Sequence, residues 1–400
     1  MDIQTDDDPT DVERKRGKTI QQASTVDNND DDCDSINLAA SLPEIITEIL
    51  IKLPVKTLLQ FKSVCKSWRV LISDPVFCKA HLKASIQNND YAHHRLIMSS
   101  VRPHFDVKSC SLSSVLHGES PISIHALDYP MKHPHRSVWI VGSVNGLVCI
   151  AIDEADVFLW NPSTRKSKRL PHSGVRKRRG QYTIYGFGYD ESSFEYKVVV
   201  IYCVVGNQGS YETEVKIYGL KSDSWRSIGD FTKGTPLDDS GKFVSGSLHW
   251  AASSEMGLNY SWNIVSFDLA KETYSEISQP YYGEGVSDSM LGVLNGCLGL
   301  LCNFGGIKAD VWVMKEHGKV ESWSKLFSIP YLNEPETFQY SAPLFISRKN
   351  EVLLVFGSRL VLYNIESNIV SYPVVQNFSY CLEVDTYIES LVSPYPEFLQ

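Results

Sequence analysis

The chain has 400 residues, 43% of them hydrophobic and 11% aromatic, enough to pack more than one average domain. Its net charge of −9 is unevenly placed: residues 1–40 hold eleven acidic against four basic side chains, so the remainder carries only −2. A near-neutral body excludes the basic face that a nucleic-acid surface requires, and no apolar run approaches the ~18 residues of a membrane span.

Residues 1–40, with Asp6-Asp7-Asp8, Asp30-Asp31-Asp32 and almost no large apolar side chains, cannot offset the entropy of ordering and read as a disordered acidic tail. An acidic start of this kind is not a secretory leader, so secretion is not expected. Nine cysteines without a C-x-x-C pair, several inside apolar runs such as Leu147-Val148-Cys149-Ile150, read as small buried hydrophobes in a reducing compartment. Arg14-Lys15-Arg16 and Arg176-Lys177-Arg178-Arg179 read as charged loop tips before import signals, which leaves cytoplasm and nucleus both open.

Residues 41–82 predict a small helical unit. Ser41 stands three residues before Glu44, the spacing of a capping box, with Pro43 in the first turn. Ile45, Ile46, Ile49, Leu50 and Leu53 then recur at helical steps until Pro54 breaks the helix. Val55, Leu58, Leu59, Phe61 and Val64 make a second apolar series, and Cys65, Trp68, Leu71 and Ile72 a third, closed by Asp74-Pro75. Three helices this short carry more apolar surface than they can bury among themselves, so the unit reads as a docking plug for another protein. A linker over 83–95 follows.

Over 96–400 the periodicity turns to alternation, with Val, Ile, Tyr, Phe and Trp runs between Gly, Asn, Asp and Ser clusters, the pattern of an all-β region. A strand–turn–strand motif repeats as VFLWNPSTRKSKRL, VKIYGLKSDSWRSI, IVSFDLAKETYSEI, VWVMKEHGKVESWSKL and LVLYNIESNIVSYPV. Its anchors Trp160, Tyr218, Phe267, Met314 and Tyr363 lie 58, 49, 47 and 49 residues apart, with a fainter copy at His104-Phe105-Asp106-Val107. A period of about 50 residues with about four short strands is that of a β-propeller blade. A β-sandwich would alternate as well but would not repeat so regularly. The fold class is therefore α+β multidomain: a three-helix unit, then an all-β, six-bladed β-propeller-like domain, with Tyr387 to Val392 returning to complete the first blade.

From Leu42 to Phe77, two LP pairs, VCKSW and LISDPVF stand at fixed offsets, and the stretch resembles the F-box of plant F-box proteins. The resemblance implies a receptor subunit of a cullin-based ubiquitin ligase, docking on a Skp-family adaptor that bridges to the cullin and RING subunits. It carries the adaptor face, or its immediate support, onto Leu42, Pro43, Ile46, Ile49, Leu50, Leu53, Pro54, Leu58, Phe61, Val64, Cys65 and Trp68. GSVNGLVCI, LWNPSTRKSKRLP, YGFGYDESSFEYKVVV, SGSLHW and FDLAKETYSEI are similar to the F-box-associated interaction domain of a large plant family that includes the S-locus F-box proteins. The paired glycines of strict kelch blades are absent. By this resemblance the β-domain recruits a protein for ubiquitination.

No catalytic constellation stands out. Gly186-Phe187-Gly188 lacks the third glycine of a dinucleotide loop, and neither a phosphate loop nor a nucleophile elbow occurs. His93-His94 and His133-Pro134-His135 read as exposed loop histidines, and His249 as a core histidine. No cofactor or metal is expected, and the chain reads as a non-catalytic receptor. Target capture is expected on loops at one face, at Arg176, Lys177, Arg178 and Arg179 and at Tyr281, Tyr282 and Phe304. A non-degradative or glycan-recognising module is the second reading, and an enzyme working through the propeller channel the third.

Overall fold

The computed structural model describes residues 43–395 except 102, 119–120, 177, 206–210, 238–239, 254–261, 287, 306, 331–340, 357–358 and 377–380. The acidic tail expected over 1–40 lies outside the described residues. The chain divides into two compact units, Met1–Ile49 and Leu50–Gln400. In the first, residues 43–49 open helix α1 (residues 43–51), where Thr47 Oγ1 donates to the Pro43 carbonyl at 2.8 Å and Ile45 and Ile49 stand exposed.

The second unit continues from Leu50 with α2 (Val55–Phe61), α3 (Lys66–Ser73) and α4 (Pro75–Gln87). Sequence reading took Asp74-Pro75 as the close of the third apolar series, where α3 does end at Ser73, and the same pair also opens a further helix within the unit. The Asp74 carboxylate accepts the N–H groups of Val76 and Phe77 at 2.7 and 3.3 Å, and Pro75 sits where no N–H is needed. The expected linker at 83–95 is correspondingly short, since α4 runs to Gln87 and the first strand starts at His94. Leu50, Val55, Leu58, Ile72, Phe77 and Leu82 form the buried side of these helices.

Six antiparallel sheets follow as propeller blades. Blades 2 to 6 are built from consecutive strands, starting from inner strands at Val138–Val144, Gln181–Asp190, the split pair Thr235–Pro236 and Lys242–Val244, Asp288–Leu294, and Ser341–Ile346. Blade 1 takes its inner strand from the far end of the sequence: Cys381–Ile388 pairs antiparallel with His94–Ser100, His94 facing Ile388 and Met98 facing Val384. The ring is thereby closed, each inner strand touching the next. Closure was expected from Tyr387 to Val392; the strand lies earlier because its register is set by the pairing with His94–Ser100. A short helix α5 (Leu112–Leu116), absent from the strand reading, interrupts blade 1.

The repeated anchors all fall on third strands, with Trp160, Tyr218, Phe267, Met314 and Tyr363 in Asp156–Asn161, Tyr211–Gly219, Asn263–Asp268, Lys308–Met314 and Arg359–Asn364. The faint copy marks the third strand of blade 1, Asp106–Ser111. Local chemistry explains the repeat. Asn161 Oδ1 accepts the N–H groups of Ser163 and Thr164 at 2.8 and 3.2 Å, Asp268 those of Ala270 and Lys271 at 2.9 Å, and Asn364 those of Glu366 and Ser367 at 3.1 and 2.9 Å. Each turn then ends on a left-handed residue, Arg165, Glu272 or Asn368, and re-enters the sheet.

Every blade is covered on both faces, which is why Leu147–Ile152 is buried at every position instead of alternating. Six apolar clusters result, one at each blade boundary. Phe158 and Trp160 face blade 1, while Val157 and Leu159 on the same strand face blade 3. Gly186 serves this packing and no phosphate loop: a Cβ there would strike Trp250 and Leu248 of blade 4.

Inner strands end in tight hairpins at Asn145-Gly146, Ser245-Gly246 and Asn295-Gly296, with positive φ at both residues, the geometry that matches strand twist. This end of the ring also receives the helices, because His94 pairs with Ile388 there. The loops leading into the inner strands crowd the far end.

Candidate interaction surfaces

The residues singled out in the helical unit divide by burial. Leu42 lies outside the described residues. In the first unit Pro43 and Ile49 are exposed and Ile46 is half-buried. In the second, Leu50 and Leu58 are core, 2% and 0% exposed, so they support the helices and do not present a face. Leu53, Phe61 and Trp68 are half-buried, the last two with ring centroids 5.1 Å apart, and Pro54 is exposed. Val64 is 62% exposed. Cys65 is exposed where a buried hydrophobe was expected; its Sγ accepts the Trp68 N–H at 3.5 Å to cap α3. Hydrogen bonds from Ser67 and then Trp68 draw its thiol pKa down. Sequence reading missed Val70 and Val76, 71% and 75% exposed. Helical phase could have found Val70, which falls off the Trp68, Leu71, Ile72 stripe.

Within the second unit the helices meet the ring through a joint lined by histidines. His93 and His94 are buried, correcting their reading as exposed loop residues. His81 of α4 places Nε2 2.9 Å from the Leu53 carbonyl oxygen and its ring edge-on to His93 at 5.6 Å. Tyr91 stands edge-on to Phe345 of blade 6 at 5.1 Å and accepts the Arg348 N–H at 2.7 Å, while the Glu389 N–H donates to the His93 carbonyl at 2.8 Å. Burial pushes all three histidines below their ordinary pKa, His94 to about 4.

A cavity of about 510 Å³ lies among the inner strands at this end, with Ile86, Tyr91 and Arg348 also in its lining. Glu383, Asp385, Lys242 and Asn145 are among its polar lining residues. The Glu383 carboxylate accepts the N–H of Ile140 across the boundary between blades 1 and 2. Among the described residues no group of three or more His, Cys, Asp or Glu is placed to hold a metal ion, and no helix is long and apolar enough to cross a membrane.

The loop residues picked from sequence gather at the far end, on two blades. Arg176, Arg178 and Arg179 are exposed on the loop entering blade 3, and Lys177 lies outside the described residues. On blade 5 Tyr281 is 93% exposed and Tyr282 half-buried. Phe304 is buried among Tyr282 and Val286, with the Lys308 ammonium 4.2 Å from its ring centroid, so it supports this corner and presents nothing. Ile307, in the adjoining turn and 76% exposed, is the apolar residue the sequence did not flag.

Comparison with known proteins follows this geometry. The model of the F-box domain matches residues 40–80, and that of the F-box associated beta propeller domain residues 100–394. An F-box/kelch-repeat protein of Arabidopsis thaliana is 37% identical over 361 residues, covering 88% of this chain and 95% of the relative. The F-box protein CPR1 of Arabidopsis thaliana is 31% identical, covering 88% of this chain and 89% of the relative. Among solved structures, an oligogalacturonate lyase in complex with manganese aligns with 72% of this chain and 75% of its own at 8% identity and a TM-score of 0.42, too distant to bear on function.

Proposed function

The chain belongs to the plant F-box proteins that carry an F-box associated beta propeller domain, and from that premise we propose that it is the substrate-recognition subunit of a Skp–cullin–F-box ubiquitin ligase. The F-box binds a Skp-family adaptor, which brings in the cullin and RING subunits; the propeller holds the target protein. The chain needs no catalytic residue for this role, because ubiquitin is transferred by other subunits and the receptor contributes proximity. Its place of action on this reading is the cytoplasm, the nucleus or both.

The observation that carries the reading is a division of labour along the ring axis. Exposed Val70 and Val76 stand on helices, and exposed Val64 in the turn before one of them, joined to one end of the ring, where burial against a partner would stabilise association. The loops stand at the other end, about 30 Å away by the length of the ten-residue strand Gln181–Asp190. The test is a pull-down of the full chain with a recombinant Skp-family adaptor, alongside Val64→Asp and Val70→Asp variants checked by circular dichroism. Stoichiometric binding by the parent and loss in the variants is expected. Failure of the well-folded parent to bind would overturn the reading.

A further inference from the structure

The loop that enters blade 3 is a built platform for cations. Three hydrogen bonds from blade 3 hold its base: Trp225 Nε1 donates to the Pro171 carbonyl at 2.6 Å, Lys216 Nζ to the Ser173 carbonyl at 2.8 Å, and the hydroxyls of Ser173 and Tyr202 meet at 2.5 Å. At its end the Arg178 N–H donates to Gln181 Oε1 at 3.0 Å. On this fixed base Arg176, Arg178 and Arg179 all stand exposed. Only Arg178 has an ion-pair partner among the described residues, Glu212 at 3.1 Å, and that pair is itself solvent-exposed and weak. Two guanidiniums are thus offered to solvent beside a base held at Pro171, Ser173 and Arg178, at the end of the ring away from the helices.

We propose that this loop is the docking surface for the target protein and that it takes a segment rich in aspartate and glutamate. The proposal rests on the receptor reading above and names the chemistry of its target. Guanidinium forks pair with carboxylates in bidentate fashion, and less entropy is lost where the backbone beneath them is already anchored. The source of the negative charge is carboxylate because Glu212 and Glu214 on the adjoining strand, Tyr211–Gly219, are paired with Arg178 and Lys216, which leaves Arg176 and Arg179 as two single charges that two carboxylates balance one for one. Nucleic acid is disfavoured because the neighbouring cations are already paired, Arg178 with Glu212, Lys216 with Glu214, and Arg136 of the next blade with Asp153 and Asp156, so no continuous basic track is left.

The experiment uses the full chain in fluorescence anisotropy with four labelled probes: an eight-residue glutamate peptide, its glutamine counterpart, a peptide of alternating phosphoserine and glycine, and a single-stranded DNA 20-mer. The glutamate peptide is expected to bind at least tenfold more tightly than the glutamine peptide, to lose that margin in an Arg176→Glu, Arg179→Glu variant of unchanged thermal stability, and to weaken as salt rises. Equal binding of the two peptides, or binding indifferent to the variant, overturns the proposal. Preference for the phosphoserine peptide or the DNA overturns the carboxylate assignment. Adaptor pull-down on the same preparations separates the two readings: adaptor bound without peptide discrimination sinks this inference alone, and peptide discrimination without adaptor binding sinks the ligase reading alone.

Discussion

The side-chain amide of Asn161 donates to the carbonyl of Val392 at 2.7 Å, joining the third strand of blade 2 to the segment that follows the closing strand. The same nitrogen reaches the Ser390 carbonyl at 3.0 Å, while Oδ1 shapes its own turn. One fully buried side chain therefore serves the hairpin of its blade and the fastening of the ring.

Replacing Asn161 by alanine leaves the carbonyls of buried Ser390 and half-buried Val392 without this donor and removes the turn bonds. A loss of about 2–4 kcal/mol in denaturant unfolding is expected. Amide exchange should rise selectively over 389–395; a uniform rise would mean that the residue acts only on blade 2.

Gly146 and Gly296 occupy equivalent hairpins with φ of +79° and +74°. A Cβ at Gly146 would overlap the Ser390 side chain and the Ile388 carbonyl, whereas at Gly296 it meets open space. Gly296→Ala should cost about 1 kcal/mol for backbone strain alone, and Gly146→Ala clearly more. Equal melting temperatures for the two variants would show that the fastening segment yields freely.

The histidine joint gives stability a pH dependence of defined sign. His81, His93 and His94 have folded-state pKa values below the ordinary 6.5, His94 about 4, so between these limits the unfolded chain binds more protons than the folded one. Stability is full above 6.5 and falls as pH drops toward 4. Glu389, whose carboxyl burial raises, works in the opposite direction and offsets part of the loss. Urea midpoints should fall from pH 7 to pH 5, and less steeply in a His94→Gln variant.

Burial separates two kinds of F-box residue. Leu58→Ala, at a site 0% exposed, should cost about 2–5 kcal/mol. Val70→Asp, at a site 71% exposed, should stay within about 0.5 kcal/mol. Unfolding curves of the two variants check both numbers and tell which substitutions suit adaptor experiments.

What could be read from the sequence was what is encoded locally. Trp160-Asn161, Phe267-Asp268 and Tyr363-Asn364 couple a buried aromatic to a side chain that folds its own turn, and with the anchors Tyr218 and Met314 and the fainter copy at 104–107 they set the period from which six blades were counted. Positions decided by distant partners were not legible. His93 and His94 look polar and loop-like until His81, Phe345 and Glu389 are brought around them. Phe304 beside Gly305 looks like a loop aromatic but ends a strand paired along Asp288–Leu294. Asp74-Pro75 carries a stop and a start in the same two residues, and only the first was read.

Because blade 1 borrows its inner strand from Cys381–Ile388, the first blade to be synthesised cannot be completed until that strand has been made. A ribosome delivers the helices first and the piece that shuts the ring last. A premature stop before Cys381 would therefore release a chain with every helix of its F-box and a ring that cannot shut.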